Sequence, residues 1–111
     1  MPIKFAHERW DIIRDTYRTW WTGDLDRPVF QCSLHGLDPE RTEPNIPAHG
    51  FTSFYDESVT AEKIVDRWDY DLSRCKYIAD GFPTVRPVFG PGVMAAFIGA
   101  ELINGEGTAW F

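Results

Sequence analysis

The sequence is poor in positive charge, and this shortage argues against two classes of partner. Its 11 lysine and arginine residues stand against 17 acidic ones, which gives a formal net charge of −6. Nucleic acids and anionic membrane surfaces are bound mainly through lysine and arginine. We therefore predict that the chain binds neither.

Long apolar segments are also lacking. No apolar run approaches the roughly 20 residues of a membrane-spanning helix. The opening residues, Met-Pro-Ile-Lys-Phe-Ala-His-Glu, do not contain the apolar core of a signal peptide. These absences predict a cytoplasmic location.

Cysteine is scarce, and familiar catalytic motifs are missing. Cys32 and Cys75 are the two cysteines, and in a cytosolic chain we expect both to be free, buried thiols. Their separation forms no metal-ligand pattern. The sequence also has no Gly-x-Gly-x-x-Gly, no His-Glu-x-x-His and no Ser-His-Asp motif. We therefore predict that this chain by itself holds no metal or cofactor and no complete catalytic machinery.

Aromatic residues, in contrast, are abundant. They make up 15% of the 111 residues and include five tryptophans and eight phenylalanines. Each large aromatic side chain has roughly 150–250 Å² to bury, and short chains bury a smaller share of their surface than long ones. We expect residues 1–111 to be a single incomplete domain, whose aromatic residues, including Trp110 and Phe111, are covered by a partner or by further sequence.

The apolar pattern predicts helices that alternate with short strands. The predicted elements are a helix over 5–21, a strand over 29–34, a loop over 37–58, a helix over 60–79 capped by Ser58 or Thr60, a strand over 82–89 interrupted by Pro83 and Pro87, a turn over 90–92, a short helix over 93–98, an extended piece over 99–103 and a turn at Asn104-Gly105. Such alternation is typical of a parallel α/β sheet. Because two strands cannot bury a parallel sheet on both faces, it also indicates that more of the sheet lies elsewhere.

Four segments carry a resemblance to a known family. They are Trp21-Thr-Gly-Asp-Leu-Asp-Arg-Pro-Val-Phe, Asp80-Gly-Phe-Pro, Phe89-Gly-Pro-Gly-Val-Met-Ala-Ala-Phe-Ile-Gly-Ala and Gly107-Thr-Ala-Trp. They resemble the N-terminal part of the uroporphyrinogen decarboxylase-like superfamily, in particular its bacterial branch close to corrinoid-dependent methyltransferases. The resemblance extends from about Trp10 to Phe111.

The resemblance implies an α/β fold that is the truncated N-terminal portion of a (β/α)8 TIM-type barrel, with about two barrel strands and two main helices. A complete barrel takes roughly 250 residues. The full-length parent would act on a small-molecule tetrapyrrole or transfer a methyl group through a corrinoid. Zinc and corrinoid would belong to that parent, because the family's zinc ligands lie in its C-terminal half. The fragment alone is expected to be inactive.

The sequence departs from true decarboxylases at two places. Their substrate-binding arginine loop follows the first strand, but here His35-Gly36 follows it and the next arginine is Arg41. Where the family has its catalytic aspartate, this chain has Phe82-Pro-Thr84. We therefore favour the methyltransferase-like branch.

Five residues are candidates for a site. His35 ends a predicted strand, where barrels place substrate pockets, although a histidine in a simple turn explains it too. Asp80 is either a shifted catalytic aspartate or a helix-ending turn residue. Arg86, Gly90 and Gly92 would bind a substrate anion through a guanidinium group and backbone amides at a helix start; the alternative is a surface arginine beside a structural turn.

A second hypothesis belongs to a different class of function. The chain would be an interaction module without catalysis, and self-association or a partner chain would cover its strand edges and aromatic surface.

Overall fold

Residues 3–110, which the computed structural model describes, form three α-helices, one 3-10 turn and two small antiparallel sheets of two strands each. The elements are α1 (His7–Trp21), β1 (Gln31–Leu34), the 3-10 turn (Thr52–Phe54), α2 (Ala61–Ser73), β2 (Lys76–Ala79), α3 (Val93–Phe97), β3 (Ile103–Gly105) and β4 (Thr108–Trp110). These strands form no closed barrel within the described residues. The expectation that Trp110 and Phe111 are covered falls outside the described part of the chain, because Phe111 and the side chain of Trp110 are not included in it.

Helix α1 confirms the predicted first helix, because its apolar side chains recur on the face that meets the rest of the protein. Ile13 is the buried centre of this face. The rings of Trp10 and Tyr17 on either side of it contact the ring of Phe82 at centroid distances of 5.8 and 5.6 Å. Trp21 extends the same sequence pattern, but its side chain is 82% exposed. The helix therefore docks through its middle turns.

Strand β1 confirms the first predicted strand, but its partner is not the one that the sequence indicated. It pairs antiparallel with β2, in a register that places Gln31 opposite Ala79 and Leu34 opposite Lys76. The expectation of a parallel arrangement is wrong for these strands. A short antiparallel ladder needs only one covered face, and Arg9 of α1 donates hydrogen bonds to the carbonyls of Tyr77 and Ala79 in this ladder.

Helix α2 begins as predicted and ends earlier than predicted. The hydroxyl of Thr60 accepts a hydrogen bond from the Lys63 amide at 3.4 Å and caps the first turn. The helix stops at Ser73, although its apolar stripe continues in the sequence to residue 79. Residues 76–79 pair with β1 instead of continuing the helix. They include Tyr77 and Ile78, which favour strands.

The loop over 37–58 is held against α2 by ion pairs. Arg41 reaches Asp66 and Asp69 at 2.5 and 2.7 Å. The buried Arg67 reaches Glu43 at 2.8 Å and Asp71 at 3.0 Å. Both arginines also lie beside the buried ring of Tyr70. The ion pairs and these ring contacts give the loop a fixed path, although it is almost without regular structure.

The predicted strand over 82–89 is absent from the described structure, and residues 80–90 contain neither helix nor strand. Pro83 and Pro87 have no N–H to donate to a ladder. Instead of pairing with a strand, this segment contacts the 3-10 turn: the Thr52 amide donates to the Val88 carbonyl at 2.6 Å.

The last elements follow the predicted order with shifted bounds. Helix α3 confirms the predicted short helix, and β3 and β4 form a hairpin. The hairpin turn is at Glu106-Gly107 rather than at the predicted Asn104-Gly105. Asn104 pairs with Ala109 within the ladder, and Gly107 supplies the positive φ of +73° that the turn needs.

The buried core of the described residues is small. Its buried apolar members are Ile13, Tyr70 and Ala109. The Cα radius of gyration is 17.3 Å, whereas a compact chain of this length has roughly 13 Å. Because the core is this small, each core residue carries a large share of the stability.

Within residues 3–110 no helix has both the length and the apolar character needed to cross a membrane.

Replacement of Ile13 tests the contribution of the small core directly, with its neighbour Ile12 as a matched control. Ile13 is 5% exposed and Ile12 is 60% exposed. We expect Ile13→Ala to lower the free energy of unfolding by about 2–5 kcal/mol, because it leaves a cavity. Ile12→Ala should change it by less than about 0.5 kcal/mol. Urea unfolding followed by far-UV circular dichroism measures both, and equal effects would contradict this packing.

Candidate functional site

The carboxylate of Asp80 is the most heavily engaged polar group near the end of β2. The residue is 4% exposed. Arg27 donates to both of its oxygens, at 2.7 Å to Oδ2 and 2.9 Å to Oδ1, and the Phe30 amide donates to Oδ2 at 2.8 Å. These donors favour the ionised form, so the Arg27 hydrogen bonds, and then that of Phe30, lower the pKa of Asp80 to about 2.

Helix α1 holds the same corner from the other side. The Tyr17 hydroxyl donates to the Asp80 carbonyl at 3.3 Å. The Arg9 guanidinium donates to the carbonyls of Ala79 and Tyr77 at 3.2 and 3.4 Å. Because Asp80 also donates its amide to the Phe30 carbonyl at 2.8 Å, the end of β2 is fixed to both α1 and the entry of β1.

The backbone turns sharply at this corner. Ala79 has a φ of +55°, a left-handed conformation that costs a residue with a Cβ about 1–2 kcal/mol. At Gly81 an added Cβ would lie 2.7 Å from the Cys32 carbonyl oxygen, so the chain passes against β1 where only glycine fits. The turn directs Phe82 and Thr84 back across the sheet.

The returning segment closes a cavity of about 310 Å³ over one face of the β1–β2 pair. Its lining consists of Gln31, Cys32, Ser33, His35, Leu72, Cys75, Tyr77, Gly81, Phe82 and Thr84. This lining contains hydroxyl, amide, thiol and imidazole groups but no aspartate, glutamate, lysine or arginine. The cavity therefore suits a small uncharged molecule better than an ion.

His35 lies at the rim of this cavity, between a thiol and a hydroxyl. Its Nδ1 is 3.1 Å from Cys75 Sγ, and its Nε2 is 3.1 Å from Ser33 Oγ. Cys32 and Cys75 are free thiols, as predicted, but both are half-buried rather than buried. Burial raises the pKa of the Cys75 thiol, and it also raises the pKa of the Tyr77 phenol to about 12.

The other predicted site residues lie away from this cavity. Asp80, Arg86, Gly90 and Gly92 do not line it. Arg86 is exposed, and the helix that follows Gly92 has five residues. Both carboxylate oxygens of Asp80 are occupied, so this residue acts as an anchor in the observed conformation. The catalytic and anion-binding roles of these residues stay predictions.

The zinc ligands that the family resemblance implies belong to the C-terminal half of the parent, outside this chain. Among residues 3–110, no three histidine, cysteine, aspartate or glutamate side chains form a group that could hold a metal ion.

Sequence reasoning missed Arg27, Ser33 and Cys75. The predicted helix over 60–79 includes Cys75, but Cys75 lies between α2 and β2, next to His35 across the sheet. Ser33 and His35 are two residues apart, which puts them on one face of an extended strand. That alternation was the available signal for grouping Ser33 with His35. It could not identify Cys75 as their neighbour until the partner strand of β1 was known.

Comparison with protein-family models, with curated proteins and with solved structures gives no match to this chain.

The anchoring role of Asp80 makes stability depend on pH. Its pKa is lowered from 3.8 to about 2 in the folded protein, so its contribution is present above the unfolded pKa and is lost as pH falls toward the folded pKa. We expect the free energy of unfolding to drop between about pH 5 and pH 2, and Asp80→Asn to remove much of that drop.

Asp11→Asn is the matched control, because the Asp11 side chain is 68% exposed and pairs with Arg14 on the same helix. Urea unfolding at several pH values compares the three proteins. If Asp80→Asn and Asp11→Asn have the same pH dependence as the unaltered chain, the anchoring role is wrong.

Proposed function

We propose that this chain is the N-terminal part of a uroporphyrinogen decarboxylase-like barrel enzyme, from the branch close to corrinoid-dependent methyltransferases. One structural observation supports an incomplete domain: the described residues expose more large apolar side chains than they bury. The four segments that resemble this family are the reason for proposing this family in particular. The active enzyme would be cytoplasmic and would act on a small-molecule substrate.

The exposed apolar surface has a distinct concentration on α3. Met94 is 72% exposed, Phe97 is 79% exposed and Ile98, at the end of the helix, is 89% exposed. Trp21, at the end of α1, is 82% exposed. Soluble proteins rarely leave such clusters in water, because burial of apolar area contributes roughly 25 cal/mol per Å². Further barrel sequence would cover them.

A barrel requires parallel neighbours for β1. Barrel strands pair in parallel, whereas β1 and β2 pair antiparallel. In the complete enzyme, β1 would have to gain parallel neighbours from sequence outside these residues. A structure of a longer chain in which β1 keeps β2 as its sole partner would count against the barrel.

The methyltransferase-like branch is favoured over the decarboxylase because the decarboxylase residues are missing. No arginine follows β1 before Arg41, and Thr84 stands in the segment where the family has its aspartate. The corrinoid and zinc would then be bound by the C-terminal part. The 111-residue chain should form no detectable coproporphyrinogen from uroporphyrinogen.

The reading frame beyond the codon for Phe111 tests the proposal. We expect it to stay open for roughly two hundred codons, the length that completes a barrel, and to encode a His-x-Cys pair and a later cysteine. A stop codon directly after Phe111 would overturn the assignment to a larger barrel.

A non-catalytic interaction module is the second candidate, and the unpaired outer edges of both two-stranded sheets favour it. Light scattering of the purified chain separates the candidates. A discrete dimer supports the interaction module, and heterogeneous association supports an uncovered barrel fragment. A compact monomer would contradict both.

A further inference from the structure

One face of the β1–β2 pair collects side chains with reactive groups. In the observed register Ser33 lies opposite Tyr77. Continued by one step in each strand direction, the same register sets His35 opposite Cys75, which agrees with their 3.1 Å contact. Side chains two residues apart on a strand share a face. The imidazole, the thiol and the Ser33 hydroxyl therefore lie together along the cavity.

The contacts of His35 define a route for a proton. In the tautomer that carries its proton on Nε2, the ring donates to Ser33 Oγ and leaves the Nδ1 lone pair toward Cys75 Sγ. The Ser33 hydroxyl hydrogen then stays available to a bound molecule. The same thiol also lies 3.5 Å from the Asp71 carbonyl, so it has one alternative acceptor.

We propose that Cys75 and His35 form a thiol-addition site for an uncharged carbonyl compound, such as a small aldehyde. The cavity of about 310 Å³ that both residues line supplies the space. The absence of charged carboxylate, ammonium and guanidinium groups from its lining sets the preference for an uncharged molecule. This inference is independent of the barrel assignment.

The addition is balanced without any further reactant. Cys75 Sγ bonds to the carbonyl carbon, and the π electron pair of the C=O bond moves to the oxygen. The thiol proton passes to His35 Nδ1, while the Ser33 hydroxyl donates a hydrogen bond to the developing oxyanion. Return of the proton to that oxygen gives a hemithioacetal and restores the neutral imidazole.

The environment of Cys75 makes His35 necessary rather than auxiliary. Burial, and to a smaller extent the charge of Asp71, raises the pKa of the thiol, while hydrogen bonding from Tyr77 and the charge of Arg74 act in the opposite direction. Because little free thiolate is present near neutral pH, attack depends on a base that removes the proton as the bond forms.

Alkylation by iodoacetamide, measured by intact-mass spectrometry at neutral pH, tests the pair. All proteins carry Cys32→Ser, so that Cys75 is the remaining thiol. We expect His35→Gln to slow alkylation at least about tenfold, since general-base assistance contributes 10²–10⁴-fold in enzymes. His49→Gln is the matched control, because its ring lies against Phe54 and Tyr55, and it should not change the rate.

Equal rates for the His35→Gln and His49→Gln proteins would overturn the proposal. Far-UV circular dichroism reports whether each variant is folded. If His35→Gln unfolds, Ser33→Ala provides the test, since it removes only the Nε2 partner. We expect Ser33→Ala to slow alkylation about threefold or more, and an unchanged rate would overturn the proton route.

Protection by aldehydes tests the chemical class. Butanal should protect Cys75 from iodoacetamide at lower concentrations than it protects N-acetylcysteine, because the cavity adds contacts to the addition. Glyoxylate carries a negative charge, so the ratio of its protection of Cys75 to its protection of N-acetylcysteine should be lower than the same ratio for butanal. Equal ratios for the two aldehydes, or butanal protection of Cys75 no better than that of N-acetylcysteine, would overturn the preference for an uncharged carbonyl compound.

Discussion

The structure depends on the contact between the Asp80 carboxylate and its donors, Arg27 and the Phe30 amide. A buried carboxylate is costly unless its oxygens are satisfied, and here both accept charge-assisted or backbone hydrogen bonds. The contact joins the segment before β1 to the segment after β2. It thereby sets the antiparallel register, the sharp turn at Gly81 and the return of Phe82 across the sheet. The cavity beside His35 exists because this corner is closed.

Outside this corner, the fold is limited by how little apolar surface it buries. The β3–β4 hairpin contributes Ala109 to the small core, whereas helix α3 buries none of its side chains, and Met94 and Phe97 face water. Their partner must come from other residues, whether those of a longer barrel or of another chain. The reactive cavity has no such need, because α2, β1, β2 and the returning segment supply its walls. The cavity beside His35 can therefore function without the partner that would cover the exposed apolar side chains of α3.

Local signals in the sequence were sufficient for the elements whose stability is local. The 3.6-residue period of Ile13 and its neighbours predicted α1, and Thr60 predicted the start of α2. The end of α2 was beyond such reasoning, because residues 76–79 continue the helical stripe and become a strand only through pairing with β1. His35 was identified as a candidate from its place after β1. Its contact with Cys75 depends on the antiparallel register, which no local pattern encodes.

Amide hydrogen exchange of the whole chain tests the central claim, that the Asp80 contact organises the most stable unit of the protein. The amides of Phe30 and Asp80 bond across that contact, to the Asp80 carboxylate and the Phe30 carbonyl. Exchange from the best-packed elements requires the largest unfolding events, whereas weakly packed segments exchange through small local openings. We expect the slowest exchange at Phe30, Asp80 and the β1–β2 ladder, and fast exchange in α3. Slower exchange in α3 than at Phe30 and Asp80 would contradict it.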